Sequence, residues 1–127
     1  MSDICVKFGY VDLVDDDGSI KKEPAMGIRQ AVLGKTPIFA IPLESAWKYA
    51  EPEYLMAASF KIAEFLGMFP DAFLINRIAD TILNHIPDLI KQRPFTAAEG
   101  KESGEGKIMF HGEVEHFGVT TTGGILK

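Results

Sequence analysis

Residues 42–94 read PLESAWKYAEPEYLMAASFKIAEFLGMFPDAFLINRIADTILNHIPDLIKQRP, and the spacing of apolar residues between its prolines and glycines decides the fold. Pro52 and Glu53 open a helix. Proline is tolerated at a first helical position, where its missing N–H has no intrahelical partner, and an acid suits the positive end of the helix dipole. Leu55, Ala58, Ile62, Phe65, Leu66 and Phe69 recur at three- and four-residue steps and form one apolar face. Gly67 is a natural C-terminal stop, so the first helix is expected over 52–67.

Asp71 is a good N-cap, because its carboxylate accepts from the free N–H groups of a first turn. Leu74, Ile75, Ile78, Ala79, Ile82, Leu83 and Ile86 follow at helical spacing. Asn76, Arg77, Asp80, Thr81 and Asn84 fall between them, which leaves a polar face. The spacing predicts a helix over 71–86, ended or kinked at Pro87, and a further turn over 87–92. Ahead of these, 43–50 is expected as a short helix with Glu44 and Lys48 paired at i,i+4. Short joins between helices favour antiparallel packing. The 52–67 helix also carries Met56, Ala57 and Phe60 on its second side. A helix apolar nearly all round needs cover on more than one side, either from flanking strands or from another subunit.

Outside this stretch the pattern changes to alternation. Ile4, Val6, Phe8 and Tyr10 share one side of a strand over 3–14. Asp15, Asp16, Asp17 and Gly18 read as a hairpin turn, with a returning strand over 19–23 cut off by Pro24. Residues 28–33, between Gly27 and Gly34, are expected as a helical turn or two. Lys35 to Ile41 suits a short strand, confined to a sheet edge by Pro37 and Pro42. Residues 96–107 read TAAEGKESGEGK, a flexible loop or arm with nothing to bury. Alternation resumes over 108–122 before a short tail, 123–127. The expected fold class is α+β: one domain over 1–127, with central antiparallel helices on a small antiparallel sheet made by both chain ends.

A chain of 127 residues and 14.0 kDa forms one domain that buries roughly two thirds of its unfolded surface. With 46% hydrophobic residues it has the composition of a folded protein. A net charge of −5 argues against a nucleic-acid backbone or an anionic membrane as main partner. One cysteine, Cys5, leaves no intramolecular disulfide framework. No signal peptide is read at the N-terminus and no apolar run is long enough to span a membrane, so the expected location is the cytoplasm or an assembled particle.

Candidate chemistry is sparse. Gly34-Lys35-Thr36 has the end of a phosphate-binding loop, but Arg29 stands where the motif requires glycine. Asp15, Asp17 and Gly18 match three positions of a calcium loop, whereas Leu13 and Pro24 occupy positions that need carboxylates. His111, Glu113 and Glu115 share one face of a strand at period two and are the nearest approach to a metal or acid–base set. The solvent face of an edge strand has the same composition, and a site needs groups converging from elsewhere. No cofactor and no catalytic residue is assigned.

The aromatics Trp47, Tyr49 and Tyr54 bracket the Ala50-Glu51-Pro52 elbow. With Met56 and Phe60 they form the expected partner-binding set, since rigid rings desolvate well at interfaces. The function expected first is that of a non-enzymatic structural or accessory subunit of a larger assembly, such as a virus or phage particle, with protein partners and a homo-oligomeric tendency. An acidic regulator docking on one target through the elbow, or through Asp12, Asp15, Asp16 and Asp17, is the alternative. A ligand-binding protein or enzyme ranks third.

Overall fold

The computed structural model describes residues 3–14, 16–32, 36–91 and 115–120. Strands β1 (Ile4–Val14), β2 (Ile20–Gln30) and β3 (Phe39–Pro42) are followed by a 3₁₀ helix (Leu43–Ala50). Helices α1 (Pro52–Phe65) and α2 (Ala72–Ile90) and strand β4 (Glu115–Thr120) complete the order. The protein is a mixed α+β fold. Its sheet runs β3-β2-β1-β4, with β1, β2 and β3 antiparallel and β4 parallel to β1.

Three sequence expectations are corrected here. The returning strand does not stop at Pro24 but continues to Gln30, so residues 28–30 are strand and not helix. β3 reaches only Ala25 of β2, and an edge position tolerates a residue without an N–H. Beyond it, Met26 and Ile28 pair with Phe8 and Val6 on one side and with Ile41 and Phe39 on the other. Four neighbours of that kind, drawn from two other strands, outweigh a local helical preference.

The C-terminal strand pairs with β1 in parallel, against the antiparallel pairing expected. Parallel neighbours need a long crossover, and the chain between Val14 and Glu115 contains all the helices among the described residues. Residues 108–114 and 121–127, like the 96–107 loop, lie outside the described residues.

The helices differ from expectation in detail. Residues 43–50 form a 3₁₀ helix, whose three-residue repeat sends Ala46 and Tyr49 inward and Glu44, Trp47 and Ala50 outward. Glu44 is therefore not set above Lys48, and it pairs with Lys21 of β2 at 3.4 Å. α2 continues through Pro87 rather than ending there. Proline removes the bond to Leu83 and disfavours helix at Ile86, but burial of Ile86 and Leu89 on the core holds the last turn in place.

The joint between α1 and α2 follows its local signals. Gly67 takes φ +74°; its N–H donates to Glu64 O at 3.0 Å and that of Met68 to Ala63 O at 2.9 Å. These two bonds satisfy carbonyls left open at the end of α1. Asp71 Oδ1 accepts from Leu74 N at 2.8 Å and caps α2. Asp71→Ala should lower stability by about 1 kcal/mol; chemical denaturation reads the loss, and a difference below measurement error would refute the cap.

One face of the sheet, with Ile4, Met26, Ile28, Phe39 and Ile41, packs on Tyr49, Leu55, Ile62, Leu66, Ile78, Ile82 and Leu89 from the helical layer. Ala58, Ser59, Ala63 and Ala79 are buried small residues of α1 and α2, and small side chains let helix axes approach. Ser59 Oγ donates to Leu55 O at 2.8 Å, so its buried hydroxyl is satisfied. The opposite sheet face carries a smaller cluster, Val11, Leu13, Ala25 and Ala40, against which Phe117 of β4 packs.

Candidate partner-binding surface

The elbow aromatics divide into two groups. Trp47 projects outward, 68% exposed, because three-residue periodicity places it opposite Ala46 and Tyr49. Tyr49 is buried, with its ring edge-on to Tyr54 at 5.1 Å, and burial pushes its phenol well above the usual range. Tyr49 therefore belongs to the core and is removed from the expected partner-binding set. Tyr54 is half-buried beside it and braces it.

Met56 and Phe60 lie one helical turn apart on α1 and are 38% and 46% exposed. The flanking strands do not cover them. The buried face of α1 is Leu55, Ala58, Ser59, Ile62 and Ala63, so the second apolar side of this helix faces outward. Trp47, Met56 and Phe60 remain as the surface members of the set.

A further aromatic series was not legible as surface. Phe65 and Phe69 continue the apolar face of the first helix in sequence, yet Phe69 is 81% exposed. α1 ends at Phe65, and the left-handed turn at Gly67 redirects the chain before Phe69. Phe65 stays partly out while its ring meets Phe39 edge-on at 5.5 Å. Phe73, in the first turn of α2, is also exposed. The available signal was position: a residue between a helix-stopping glycine and an N-capping aspartate has no helix face to join. Leu83, read as part of the buried face of α2, is 45% exposed.

Phe69 and Phe73 border a cleft of about 680 Å³ at the end of the sheet, lined also by Ile4, Gln30, Met68, Leu74 and Arg77. Gln30 Nε2 donates to Leu66 O at 2.6 Å, tying the end of β2 to the end of α1. Arg77 pairs with Asp3 across the cleft mouth. Both are exposed, and an exposed pair contributes little to stability.

The acidic turn is engaged within the chain. Asp12 pairs with Lys22 at 3.7 Å. Asp17 accepts from Ser19 N at 2.9 Å and Ser19 Oγ at 2.7 Å, and these bonds lower its carboxyl below the usual range. Asp16 is exposed and Asp15 lies outside the described residues. His111 and Glu113 also lie outside them, and the backbone of Glu115 stands opposite Gly9 in the sheet. Among the described residues no group of three His, Cys, Asp or Glu is placed to hold a metal ion. No helix among them is long and apolar enough to cross a membrane.

Glu23 is a buried carboxyl of β2. Burial raises it above its ordinary value of 4.5; Lys21 and a bond from the Glu44 backbone pull it down, and the Glu44 charge pushes it up. Between 4.5 and the raised value the folded chain holds a proton that the unfolded chain has lost, so stability falls as pH rises through that window. Glu23→Gln should raise the melting temperature at pH 7, and the difference from the parent should shrink as pH drops through the window. An unchanged difference at pH 4 and pH 7 would show that Glu23 titrates alike in both states.

No known protein family matches this chain, and comparison with curated proteins and with solved structures finds no match either.

Proposed function

We propose that the protein is a non-enzymatic structural or accessory subunit of a larger protein assembly, a virus or phage particle being one such assembly. The observation that carries this reading is the uncovered second side of α1, where Met56 and Phe60 stand out with Trp47 nearby in sequence. Exposed apolar side chains of this size mark contact surfaces when they group together. In this reading the helices, packed antiparallel over the sheet, form the body, and the exposed rings meet neighbouring subunits in the cytoplasm or in the particle.

Native mass decides it. Untagged protein at micromolar concentration should give a mass well above 14.0 kDa by light scattering, or retain a protein partner on pull-down. A stable monomer that retains nothing sinks the proposal. Replacing Met56 and Phe60 together by serine should weaken the association at least tenfold, since each large apolar group contributes about 1–3 kcal/mol on burial. The same change should leave the folded monomer almost as stable as before, because both positions face outward.

A single-target regulator is the second reading, and Trp47 is the observation that favours it. A lone tryptophan this exposed has the character of an interface anchor. Trp47→Ala that abolishes capture of one target while leaving self-association intact would select this reading. The third, a small-ligand site, has the 680 Å³ cleft; a thermal-shift screen over metals, nucleotides and acyl compounds tests it.

A further inference from the structure

We propose that the cleft at the end of the sheet binds a free α-amino acid with a large apolar side chain, its ammonium taken by Asp3 and its carboxylate by Arg77. The inference goes beyond the assembly reading and does not depend on it. It rests on the small-ligand reading of the same cleft and names the class of ligand.

Shape and lining come first. At about 680 Å³ the cleft falls within the roughly 300–1,000 Å³ of small-molecule sites. Ile4 and Leu74, both buried, and half-buried Met68 give it apolar walls. Phe69 and Phe73 border it with most of their surface in water, 81% and 62% exposed. An apolar ligand side chain in the cleft removes part of both rings from water.

The rings stand on a fixed backbone. Asp71 N donates to Phe69 O at 2.9 Å, and Met68 N donates to Ala63 O at 2.9 Å. Gln30 holds the carbonyl of Leu66 from the end of β2. Phe73 belongs to the first turn of α2, which Asp71 caps. A site held in this way before any ligand arrives has little left to order on binding.

Charge selects the class. Asp3, Asp71 and Arg77 are the charged side chains among the described lining residues. Asp71 is engaged elsewhere, because its Oδ1 accepts from Leu74 N at 2.8 Å and its charge faces the positive end of α2. One carboxylate and one guanidinium remain, paired across the mouth. A ligand with a single charge would take one of these groups and leave the other without its partner. An α-amino acid carries both signs on one carbon and meets both groups at once, with its carboxylate on the guanidinium fork. Opening the pair costs little, since both side chains are exposed.

Calorimetric titration and amide NMR of the full chain test this with three probes that share one ring. These are L-phenylalanine, phenethylamine, which lacks the carboxylate, and phenylpropionate, which lacks the ammonium. Phenylalanine should shift the amides of residues 67–74 and bind at least about tenfold more tightly than either of the others. Arg77→Gln should abolish its advantage over phenethylamine, and Asp3→Asn its advantage over phenylpropionate. General loss of structure would not produce that crossed pattern, and both positions are exposed, so both variants should fold. A single-charge probe that binds as well as phenylalanine overturns the amino-acid assignment and keeps the cleft as an apolar ligand site. No shift of those amides by any probe at millimolar concentration overturns both. Neither result bears on native mass, so the assembly reading stands or falls separately.

Discussion

Ile82→Ala should cost about 3–4 kcal/mol of folding stability, the largest single loss expected from this chain. Ile82 is fully buried at the middle of α2, within the core cluster that joins the helical layer to Met26, Ile28 and Ile41 of the sheet. Removing three carbons there forfeits their transfer from water and leaves a void that packed neighbours close only in part. Total stabilities of domains this size are about 5–15 kcal/mol, so the variant should unfold at a much lower urea concentration with an unchanged slope. Leu83→Ala is the matched comparison, one residue along the same helix and 45% exposed. Its loss should be well under half as large. Equal losses would mean that α2 does not face the sheet as described.

Gly27→Ala should destabilise the protein by about 1–3 kcal/mol, the usual cost of forcing an extra methyl into a filled space. The sign is informative. Glycine inside a strand is ordinarily a weakness, and alanine at a compatible backbone stabilises by restricting the unfolded chain. Here the new Cβ would lie 2.8 Å from Phe117 Cζ and 2.9 Å from Ile38 Cγ2, so one of these groups must move. Adding Phe117→Ala should lift part of that cost, with a coupling of at least about 0.5 kcal/mol in a double-mutant cycle. Additive losses would place Phe117 away from Gly27.

These two positions differ in how far they could be read in advance. Ile82 follows from spacing, because Ile75, Ile78 and Ile82 recur on one side of a helix whose start is marked by Asp71. Gly27 read as a boundary. It proved to be the middle of β2, placed by pairing with Lys7 and Ala40. Among the proposed contact residues, Met56 and Phe60 were visible as a second apolar side of α1. Tyr49 was misplaced because ring chemistry does not say which aromatic turns inward; three residues from Ala46 in a 3₁₀ repeat, it shares the buried side with it, while Trp47 does not. Phe69 was misplaced because α1 ends at Phe65 and the left-handed turn at Gly67 takes the chain off the face that Leu66 still shares.

By itself the sequence determined the two long helices, their cap at Asp71, their joint at Gly67 and the first hairpin, since those signals act between residues a few positions apart. Only the tertiary structure decided that residues 28–30 are strand, that β4 runs parallel to β1, and which aromatics face out. Those outcomes depend on partners on other strands and helices, from Phe39 opposite Ile28 to Glu115 opposite Gly9, and a side chain's preference for core or surface has no answer until the chain brings those neighbours alongside it.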